Sequence, residues 1–475
     1  MEQKQLNVAI ISSPGIGHLI SFVELAKILI SRFNFTITLI LPSRVNDQPS
    51  EAQSSLLSSL PNAISYVYLP PIDLSHVETD DLDVVISLVV VHSVPFIRDA
   101  LSALPRLVAV VTDLFGTPVY DVARELGVPP YLYFFTNAMY LLFLFHLPKL
   151  HETVSCEFRD MVDPVILPGC VPIHGKDFED GLQDRKSEAY SWIFYHLKRY
   201  GLVEGILINT FLDLEPGAIR GLQTEDPNRP PVYPIGPIVR SGMDMGCKVG
   251  GLECLRWLDQ QPSRSVLFVS FGSGGTLSYD QLSELAIGLE KSGVRFLWVV
   301  KGPNEESSFG SYYNGHDQDE SFGFLPNGFV NRTKDRGLLI SSWAPQIEVL
   351  SHKSTGGFLT HCGWNSILES VIHVMPLIAW PLYAEQNMNA TILEEGLEVA
   401  LRPEINKHGI VEADRVAKVV KELMLGANGR RIRNLMKELS DCAKRAISET
   451  GDSTKSLNDV ASEWMLAKAK ECSNI

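Results

Sequence analysis

The residues best suited to chemistry lie directly after short apolar runs of the chain. Six runs rich in β-branched and aromatic residues each lead into Gly, His, Asp, Trp or Gln. The segments that follow them are 13–18, 113, 271–275, 343–346, 361–366 and 381–386. Because parallel sheets bind ligands outside the carboxyl ends of their strands, we expect these segments to surround a common cleft.

One candidate for proton transfer is the pair His18 and Asp113. His18 follows the turn at 13–17, and histidine has a pKa suited to a general base near neutral pH. Asp113 follows another run and can accept the second ring N–H, which would stabilise an imidazolium. The pair therefore predicts activation of a weak nucleophile such as a hydroxyl. The simpler alternatives are a loop or capping histidine and an aspartate that caps the next helix.

A second candidate is the helix opening at 361–366. The free N–H groups and the dipole of a helix N-terminus favour a phosphate, and Gly363 permits close approach of the backbone. Asn365, Ser366 and Glu369 share one helix face by their spacing. The alternative is a capping box, since Ser366-x-x-Glu369 fits that pattern.

The elements that must position these residues alternate between strand and helix patterns. A first series ends in a proline-rich stretch, and a second series begins at 266–270. Such alternation predicts an α/β fold of two doubly wound, Rossmann-like sheets that face a cleft. The first series has strands at 8–12, 36–41, 107–112, 131–135 and 205–209, with prolines at 230, 231, 234 and 237 after it. The second has strands at 266–270, 296–300, 337–341, 356–360 and 377–380.

The same pattern predicts the domain boundaries. We expect an N-terminal domain over 1–241, a Gly- and Met-containing linker over 242–251 and a C-terminal domain over 252–450. Residues 451–475 should form a helix that packs back on the N-terminal domain. The polar segment 302–324 is predicted to be a long surface loop.

Composition excludes several classes of protein. The net charge of −15 disfavours a nucleic acid partner. The seven cysteines are odd in number and form no CxxC pair, which argues against a disulfide framework or zinc site and favours a reducing, cytoplasmic compartment. The apolar stretch 130–147 is interrupted by polar residues, so we predict core or pocket wall there and no integral membrane segment.

Nicotinamide dinucleotide and metal sites are poorly supported. The Gly-x-Gly pairs at 15–17 and 272–274 lack the third glycine, and the strands that follow them end without an acid for a ribose. The Asp-x-Asp pairs at 81–83 and 317–319 lie in polar stretches and are interpreted as solvated loops. We therefore expect neither a redox cofactor nor a metal.

Residues 343–386 closely resemble the signature segment of plant family 1 UDP-sugar glycosyltransferases. The rest of the chain, from Gly17-His18 to the C-terminal helices, resembles the same family. Residues 147–149, 168–170 and 175–178 are most similar to the branch that glucosylates hydroquinone and phenylpropanoid phenols. The matching positions in the segment are Trp343, Ala344, Pro345, Gln346, His352, Thr360, His361, Cys362, Gly363, Trp364, Asn365, Ser366, Glu369, Trp380, Pro381, Glu385 and Gln386.

The resemblance implies the GT-B fold, with acceptor bound by the N-terminal domain and UDP-sugar by the C-terminal one. It implies that Trp343 stacks on uracil, next to Ala344, and that Gln346 and Glu369 bind the ribose. The residues implied for the diphosphate are Ser273, His361, Asn365 and Ser366. Those implied for the sugar are Trp364, Glu385, Gln386 and Thr136, the last from the first domain.

The implied activity is inverting transfer of glucose from UDP-glucose to a small lipophilic hydroxyl compound, with His18 and Asp113 as the base pair. A final Gln386 usually accompanies glucose over galactose in this family. Attack opposite the leaving UDP predicts inversion, and the helix opening can stabilise that leaving group without a metal. C-, N- or S-glucosylation, a non-catalytic UDP-sugar-binding protein and a GT-B enzyme of other chemistry such as an epimerase remain alternatives. We expect a monomer.

Two further features bear on the site. Five aromatic residues of the first domain could wall an acceptor pocket or simply belong to the core: Phe115, Phe135, Tyr140, Phe143 and Phe145.

The family usually has glycine at the start of the turn before its last strand, where this chain has Val374 after His373. This departure concerns the local turn and does not touch the residues assigned to UDP.

Overall fold

The computed structural model describes residues 5–473 except 46, 48, 80, 225, 228, 241–248, 306–321 and 342. The chain forms two compact units, one of Met1–Arg240 with Ala443–Ile475 and the other of Ser241–Cys442. Each unit is built on one sheet of parallel strands with helices between them. The predicted fold class of two doubly wound Rossmann-like sheets is therefore confirmed.

The sheet of the first unit has seven strands in the order β3-β2-β1-β4-β5-β6-β7. Its central strands are apolar because they are covered on both faces, as in parallel sheets generally. The strands are β1 (Asn7–Ile11), β2 (Thr36–Leu41), β3 (Ile64–Tyr68), β4 (Leu107–Thr112), β5 (Pro130–Phe134), β6 (Gly205–Ile208) and β7 (Val232–Pro234).

The sheet of the second unit has six strands in the order β10-β9-β8-β11-β12-β13. The change of direction in strand order falls between β8 and β11, the place where doubly wound sheets bind ligands. The strands are β8 (Val266–Ser270), β9 (Arg295–Val299), β10 (Gly337–Ile340), β11 (Thr355–Thr360), β12 (Leu377–Ala379) and β13 (Ala400–Leu401).

The helices connect successive strands of each sheet. In the first unit, α1 (Ile16–Phe33) buries an apolar face that includes Leu19, Phe22 and Ala26. The helices that follow it, up to the end of the first sheet, are α2 (Glu51–Ser58), α3 (Leu82–Ser102), α4 (Val119–Glu125), α5 (Ala138–Thr153), α6 (Glu188–Tyr200) and α7 (Pro216–Gln223). The helices of the rest of the chain are α8 (Val249–Asp259), α9 (Tyr279–Ser292), α10 (Phe329–Thr333), α11 (Gln346–Ser351), α12 (Trp364–Ile372), α13 (Gln386–Thr391), α14 (Ala413–Leu425), α15 (Ala427–Ala446) and α16 (Asp452–Ser473), with a π-helix at Ile392–Gly396 after α13.

One sequence expectation about these elements needs correction. The proline-rich stretch contains β7, which is tolerated because an edge strand can lack ladder donors on its outer side. The predicted linker 242–251 overlaps α8, which already includes residues 249–251, while residues 242–248 lie outside the described part of the chain. Ser278 caps α9 by accepting the Gln281 N–H, while the Gln281 side chain bonds to the backbone of Val411.

Among the described residues, one helix, α3, has the length and composition of a membrane span. Half of its apolar window is buried inside the protein. Ile97 and Leu101 lie in a core cluster with Val110 of β4, and the polar Ser87 and Ser93 are also buried. These contacts are those of a core helix. The apolar stretch 130–147, predicted as core or pocket wall, forms β5 and the buried start of α5.

The C-terminal helix α16 belongs by its contacts to the first unit. Trp464 is fully buried there, with its ring 5.9 Å from that of Phe35 and 5.3 Å from that of Tyr131. Glu463 accepts a hydrogen bond from the Tyr131 hydroxyl at 3.1 Å. The last helix is therefore part of the core of the first unit.

Candidate active site

His18 and Asp113 meet at the carboxyl end of β1 and β4. His18 lies in the first turn of α1. The residue before this helix is Gly15, whose φ of 130° is readily adopted by glycine but not by other residues. The Nδ1 atom of His18 lies 2.9 Å from Oδ2 of Asp113. The His18 side chain is 12% exposed, whereas Asp113 is completely buried. Asp113 is thus shielded from solvent, whereas part of the His18 ring is accessible to it.

Asp113 is the centre of a hydrogen-bond network. It accepts the backbone N–H and the hydroxyl of Ser13 at 2.9 and 2.6 Å, and the N–H of Phe115 at 3.1 Å. Burial alone would raise the pKa of Asp113, but the hydrogen bonds from His18 and Ser13 outweigh it and lower the pKa. The side chain is therefore a carboxylate. It does not cap the next helix, because α4 begins at Val119 with Pro118 before it.

The charge state of Asp113 fixes the tautomer of His18. A carboxylate only accepts hydrogen bonds, so the neutral imidazole must carry its proton on Nδ1. The other ring nitrogen, Nε2, is then the proton acceptor. This is the arrangement that a general base requires.

Two aromatic rings flank this histidine. The ring of Phe135 meets that of His18 edge-on at 4.7 Å, and the ring of Phe115 stacks near it at 5.9 Å. Phe143 packs against Phe178 in the core, and Tyr140 donates a hydrogen bond to Glu179. Of the five aromatic candidates, Phe115 and Phe135 therefore lie against the candidate base. Phe143 and Tyr140 belong to the core. The ring of Phe145 lies beneath the Arg229 guanidinium.

In the second unit, His361 lies between two glycines. A Cβ added at Gly272 would come within 2.6 Å of His361 Nε2, and one added at Gly363 would come within 2.5 Å. Burial, with a smaller contribution from Lys301, lowers the pKa of His361 to about 4. The imidazole is therefore neutral at physiological pH. Its buried Nδ1 has no hydrogen-bond partner among the described residues.

Helix α12 begins directly after this histidine. Gly363 is the N-cap residue and no side chain caps the helix, so Ser366 lies in its first turn. The alternative of a capping box at Ser366 and Glu369 is therefore wrong. Instead, Gln346 Nε2 donates to Ser366 Oγ at 3.0 Å and to Glu369 Oε2 at 2.6 Å. The structure thus brings together three side chains predicted to bind the nucleotide.

The neighbouring segment is tied to the same region. Gln386 Oε1 accepts the backbone N–H groups of Leu382 and Tyr383 at 2.9 and 3.1 Å, which fixes the orientation of its amide. Buried Asn389 donates to the Cys362 carbonyl at 2.8 Å and to Glu385 Oε1 at 3.2 Å. Asn389 was missed by sequence reasoning, although it lies four residues after Glu385 on α13.

The remaining predicted residues differ in exposure. The Trp343 side chain is 36% exposed, while Ala344 and the Trp364 side chain are buried. Trp343 can therefore offer a ring face to a ligand, whereas Trp364 can offer its backbone. Ser273 and Asn365 are partly buried in the second unit. Thr136 is buried in the first unit, next to Asn137, the residue that caps α5.

Sequence reasoning also missed Lys301. Its Nζ donates to the carbonyl oxygens of Gly272 and Ser273, at 2.8 and 2.5 Å. Lys301 lies just beyond the carboxyl end of β9, so the rule that placed the other candidates could have found it.

The two doubly wound sheets, with the candidate residues at the carboxyl ends of their strands, have the architecture expected of a GT-B glycosyltransferase. Residues 233–436 match the family model described as UDP-glucoronosyl and UDP-glucosyl transferase. The chain belongs to this family and is a UDP-glycosyltransferase of the GT-B fold.

Individual relatives are similar over nearly their whole length. Hydroquinone glucosyltransferase of Rauvolfia serpentina is 52% identical over 96% of this chain and 97% of its own. The solved UGT2 of Phytolacca americana, complexed with UDP-2fluoro-glucose and pterostilbene, is 59% identical, with a TM-score of 0.89 over 98% of this chain and 100% of that one. A Polygonum tinctorium UDP-glucosyltransferase capable of glucosylating indoxyl, solved with 3,4-dichloroaniline, is 48% identical, with a TM-score of 0.90 over 98% and 100% of the two chains.

Proposed function

We propose that this protein is an inverting UDP-glucose-dependent glucosyltransferase that acts on a small lipophilic hydroxyl compound, such as a phenol. The observation that carries the proposal is the 2.9 Å hydrogen bond between His18 Nδ1 and Asp113 Oδ2. It leaves Nε2 to take a proton from an acceptor hydroxyl. The similarity to a hydroquinone glucosyltransferase supports a phenolic acceptor.

For the nucleotide, the proposal assigns uracil to the exposed face of Trp343, beside Ala344. Gln346 and Glu369 bind the ribose, and their 2.6 Å contact means that they act as one unit. An aromatic platform of this kind contributes about 1–3 kcal/mol of stacking per base.

For the diphosphate, the proposal uses His361, Asn365, Ser366 and Ser273. The buried Nδ1 of His361 supports it, because this nitrogen has no hydrogen-bond partner in the described part of the chain and such a nitrogen costs about 1–3 kcal/mol until it finds one. A neutral imidazole contributes a hydrogen bond and not a full charge. The first turn of α12 supplies further N–H groups and the positive end of the helix dipole.

For the sugar, the proposal uses Glu385, Gln386, the backbone of Trp364 and Thr136 of the first unit. Because Gln386 Oε1 already accepts two backbone N–H groups, its amide N–H₂ is the part assigned to the sugar hydroxyls. Glu385 is held by Asn389, which should limit its side-chain freedom.

The reaction follows from these groups. His18 Nε2 takes the acceptor proton while the acceptor oxygen attacks the anomeric carbon, and the bond from that carbon to UDP breaks. Asp113 stabilises the imidazolium that forms. Attack from the face opposite UDP converts an α-linked donor into a β-glucoside. The charge that develops on UDP is assigned to the N-terminus of α12 and its neighbours, without a metal or other cofactor.

The aromatic pair beside His18 is assigned to the acceptor. Phe115 and Phe135 offer ring faces and edges next to the base, which suits a flat aromatic compound. The acceptor is therefore placed in the domain 1–241 and the donor in the domain 252–450. We also propose a cytoplasmic monomer.

An amine acceptor is a second candidate, because a relative of 48% identity was solved with 3,4-dichloroaniline. The same base could remove a proton from an aniline nitrogen during attack. The product would then be an N-glucoside.

The purified protein should be incubated with UDP-glucose and a panel of phenols and anilines, and the products read by mass for one added hexose. The anomeric coupling constant of the product, measured by NMR, reports inversion. Transfer with β configuration, lost in His18→Ala, is the expected result. An α-glucoside, or no transfer to any acceptor in the panel, would contradict the proposal.

A further inference from the structure

We propose that Lys301 is a positioning residue of the diphosphate site, which fixes the turn at 272–273 and places a positive charge beside the phosphates. This inference rests on the proposed function, because it concerns the same donor site.

The first support is the direction of the hydrogen bonds. The ammonium of Lys301 holds the carbonyl oxygens of both Gly272 and Ser273. In a trans peptide the C=O and the following N–H point in opposite directions. Fixing these two carbonyls toward Lys301 therefore turns the N–H groups of Ser273 and Gly274 away from it. Backbone N–H groups presented together in a turn make a site for an anion.

The second support is the position of His361. The turn lies against this imidazole, since a Cβ at Gly272 would come within 2.6 Å of its Nε2. The charge of Lys301 also reaches the ring, because after burial it is the second cause of the lowered pKa of His361. The ammonium, the turn and the imidazole thus form one cluster beside the N-terminus of α12.

The third support is the state of the ammonium itself. Burial lowers the pKa of Lys301 to about 8, so the group is still mostly protonated at neutral pH but poorly solvated. Burial is the one cause of this shift, and no carboxylate among the residues that the structure describes offsets it. A partly buried cation that has no carboxylate partner among the described residues gains from an anion, and the diphosphate of a UDP-sugar carries the required charge.

The overall charge of the protein makes such a group important. A net charge of −15 repels an anionic donor at long range. Because His361 is neutral, the imidazole cannot compensate for this repulsion. Lys301 is the described cation that contacts the turn assigned to the phosphates.

The test compares binding of UDP with binding of uridine, which lacks the phosphates, by titration calorimetry on the full chain. Lys301→Met removes both the charge and the donors, while Lys301→Gln removes the charge and keeps an N–H donor. Exposed Lys353→Met is the matched control. Both Lys301 variants should weaken UDP binding about 10- to 100-fold and uridine binding less than about 3-fold. The control should bind both ligands as the wild type does.

Equal weakening of UDP and uridine would overturn the inference, because it would show a general disturbance of the nucleotide site. Unchanged UDP affinity in Lys301→Gln would overturn the role of the charge. The two variants are measured in parallel, with thermal unfolding of each, so that the test does not depend on the recovery of one of them. If the wild-type protein itself failed to bind UDP, the proposed function would fail. If the wild type bound UDP and both Lys301 variants kept its preference for UDP over uridine, only the inference about Lys301 would fail.

Discussion

His18 and Asp113 are 95 residues apart in the chain, yet His18 Nδ1 lies 2.9 Å from Asp113 Oδ2. The contact forms because β1 and β4 are neighbours in the sheet and both end at the same edge. Hydrogen bonds from His18 and Ser13 lower the pKa of Asp113 against the effect of burial and keep it charged, and the Phe115 N–H also donates to it. The pair is therefore built by the sheet topology and not by local sequence.

The first prediction concerns the base. His18→Gln should lower kcat about 10²- to 10⁴-fold, the usual contribution of general base catalysis, while the KM for UDP-glucose changes less than about 3-fold. Asp113→Asn should also lower kcat, because an amide can donate to Nδ1 and move the ring proton to Nε2. Steady-state kinetics with a phenol acceptor measure both. A His18→Gln enzyme with wild-type turnover would remove the proposed mechanism.

The second prediction concerns the glycines around His361. Gly363→Ala should weaken UDP binding at least about 10-fold, because its Cβ would come within 2.5 Å of the imidazole and force it to move. The backbone itself should tolerate alanine, since the φ of Gly363 is −62°. Gly302→Ala, where the added Cβ meets nothing within 4 Å, is the control and should bind UDP normally. Equal affinities for UDP in the two variants would show that the imidazole is not constrained in this way.

The third prediction concerns Val374, where the chain departs from the family glycine. Val374 has a φ of 59°, a left-handed conformation that costs an L-residue roughly 1–2 kcal/mol. Val374→Gly should relieve this strain and, after the entropy cost of glycine, raise the free energy of unfolding by about 0.5–1 kcal/mol. Urea denaturation measures the change. Val330→Gly, on an exposed position of α10, should instead destabilise the protein. A loss of stability in Val374→Gly would mean that the turn is not strained.

The fourth prediction is a pH dependence of stability. Burial lowers the pKa of His361 to about 4 and that of His196 to about 3, whereas both have a pKa near 6.5 when unfolded. Below pH 6.5 the unfolded chain binds protons that the folded protein does not, so stability falls as the pH falls. Each histidine should contribute up to about 1.4 kcal/mol per pH unit, from pH 6.5 down to its folded pKa.

His196 offers the cleaner test of this dependence, because it belongs to the first unit, whereas the residues assigned to UDP belong to the second. Its ring nitrogens contact the hydroxyls of Ser87 and Thr117 at 2.9 and 2.8 Å. In His196→Gln, the slope of unfolding free energy against pH, measured between pH 6 and 4.5, should become shallower by about 1.4 kcal/mol per unit. Slopes that coincide in the variant and the wild type would contradict the assignment of a neutral, buried histidine.

Much of the candidate site could be predicted because ligand groups follow strands. The apolar runs before His18, Asp113 and His361 became β1, β4 and β11, and the segment 361–366 became the start of α12. Edge strands are harder to predict from apolar runs of the sequence. Strand β3 exposes Tyr66, Val67 and Tyr68, so it lacks the apolar run of a buried strand. Strand β7 was hidden by prolines that only an edge position tolerates.

The sequence by itself determined the family, the buried central strands with the alternation of strand and helix, and the types of residue that stand at the strand ends, because periodicity and motif spacing are local properties. Tertiary structure decided which of them touch. It placed the Asp113 carboxylate on His18, paired Gln346 with Glu369, and brought Lys301 to the turn at 272–273. Those contacts depend on which strands are neighbours and on how deeply each side chain is buried. Contacts and burial in turn shift pKa values and fix tautomers. The spacing of residues along the chain determines neither the strand neighbours nor the burial.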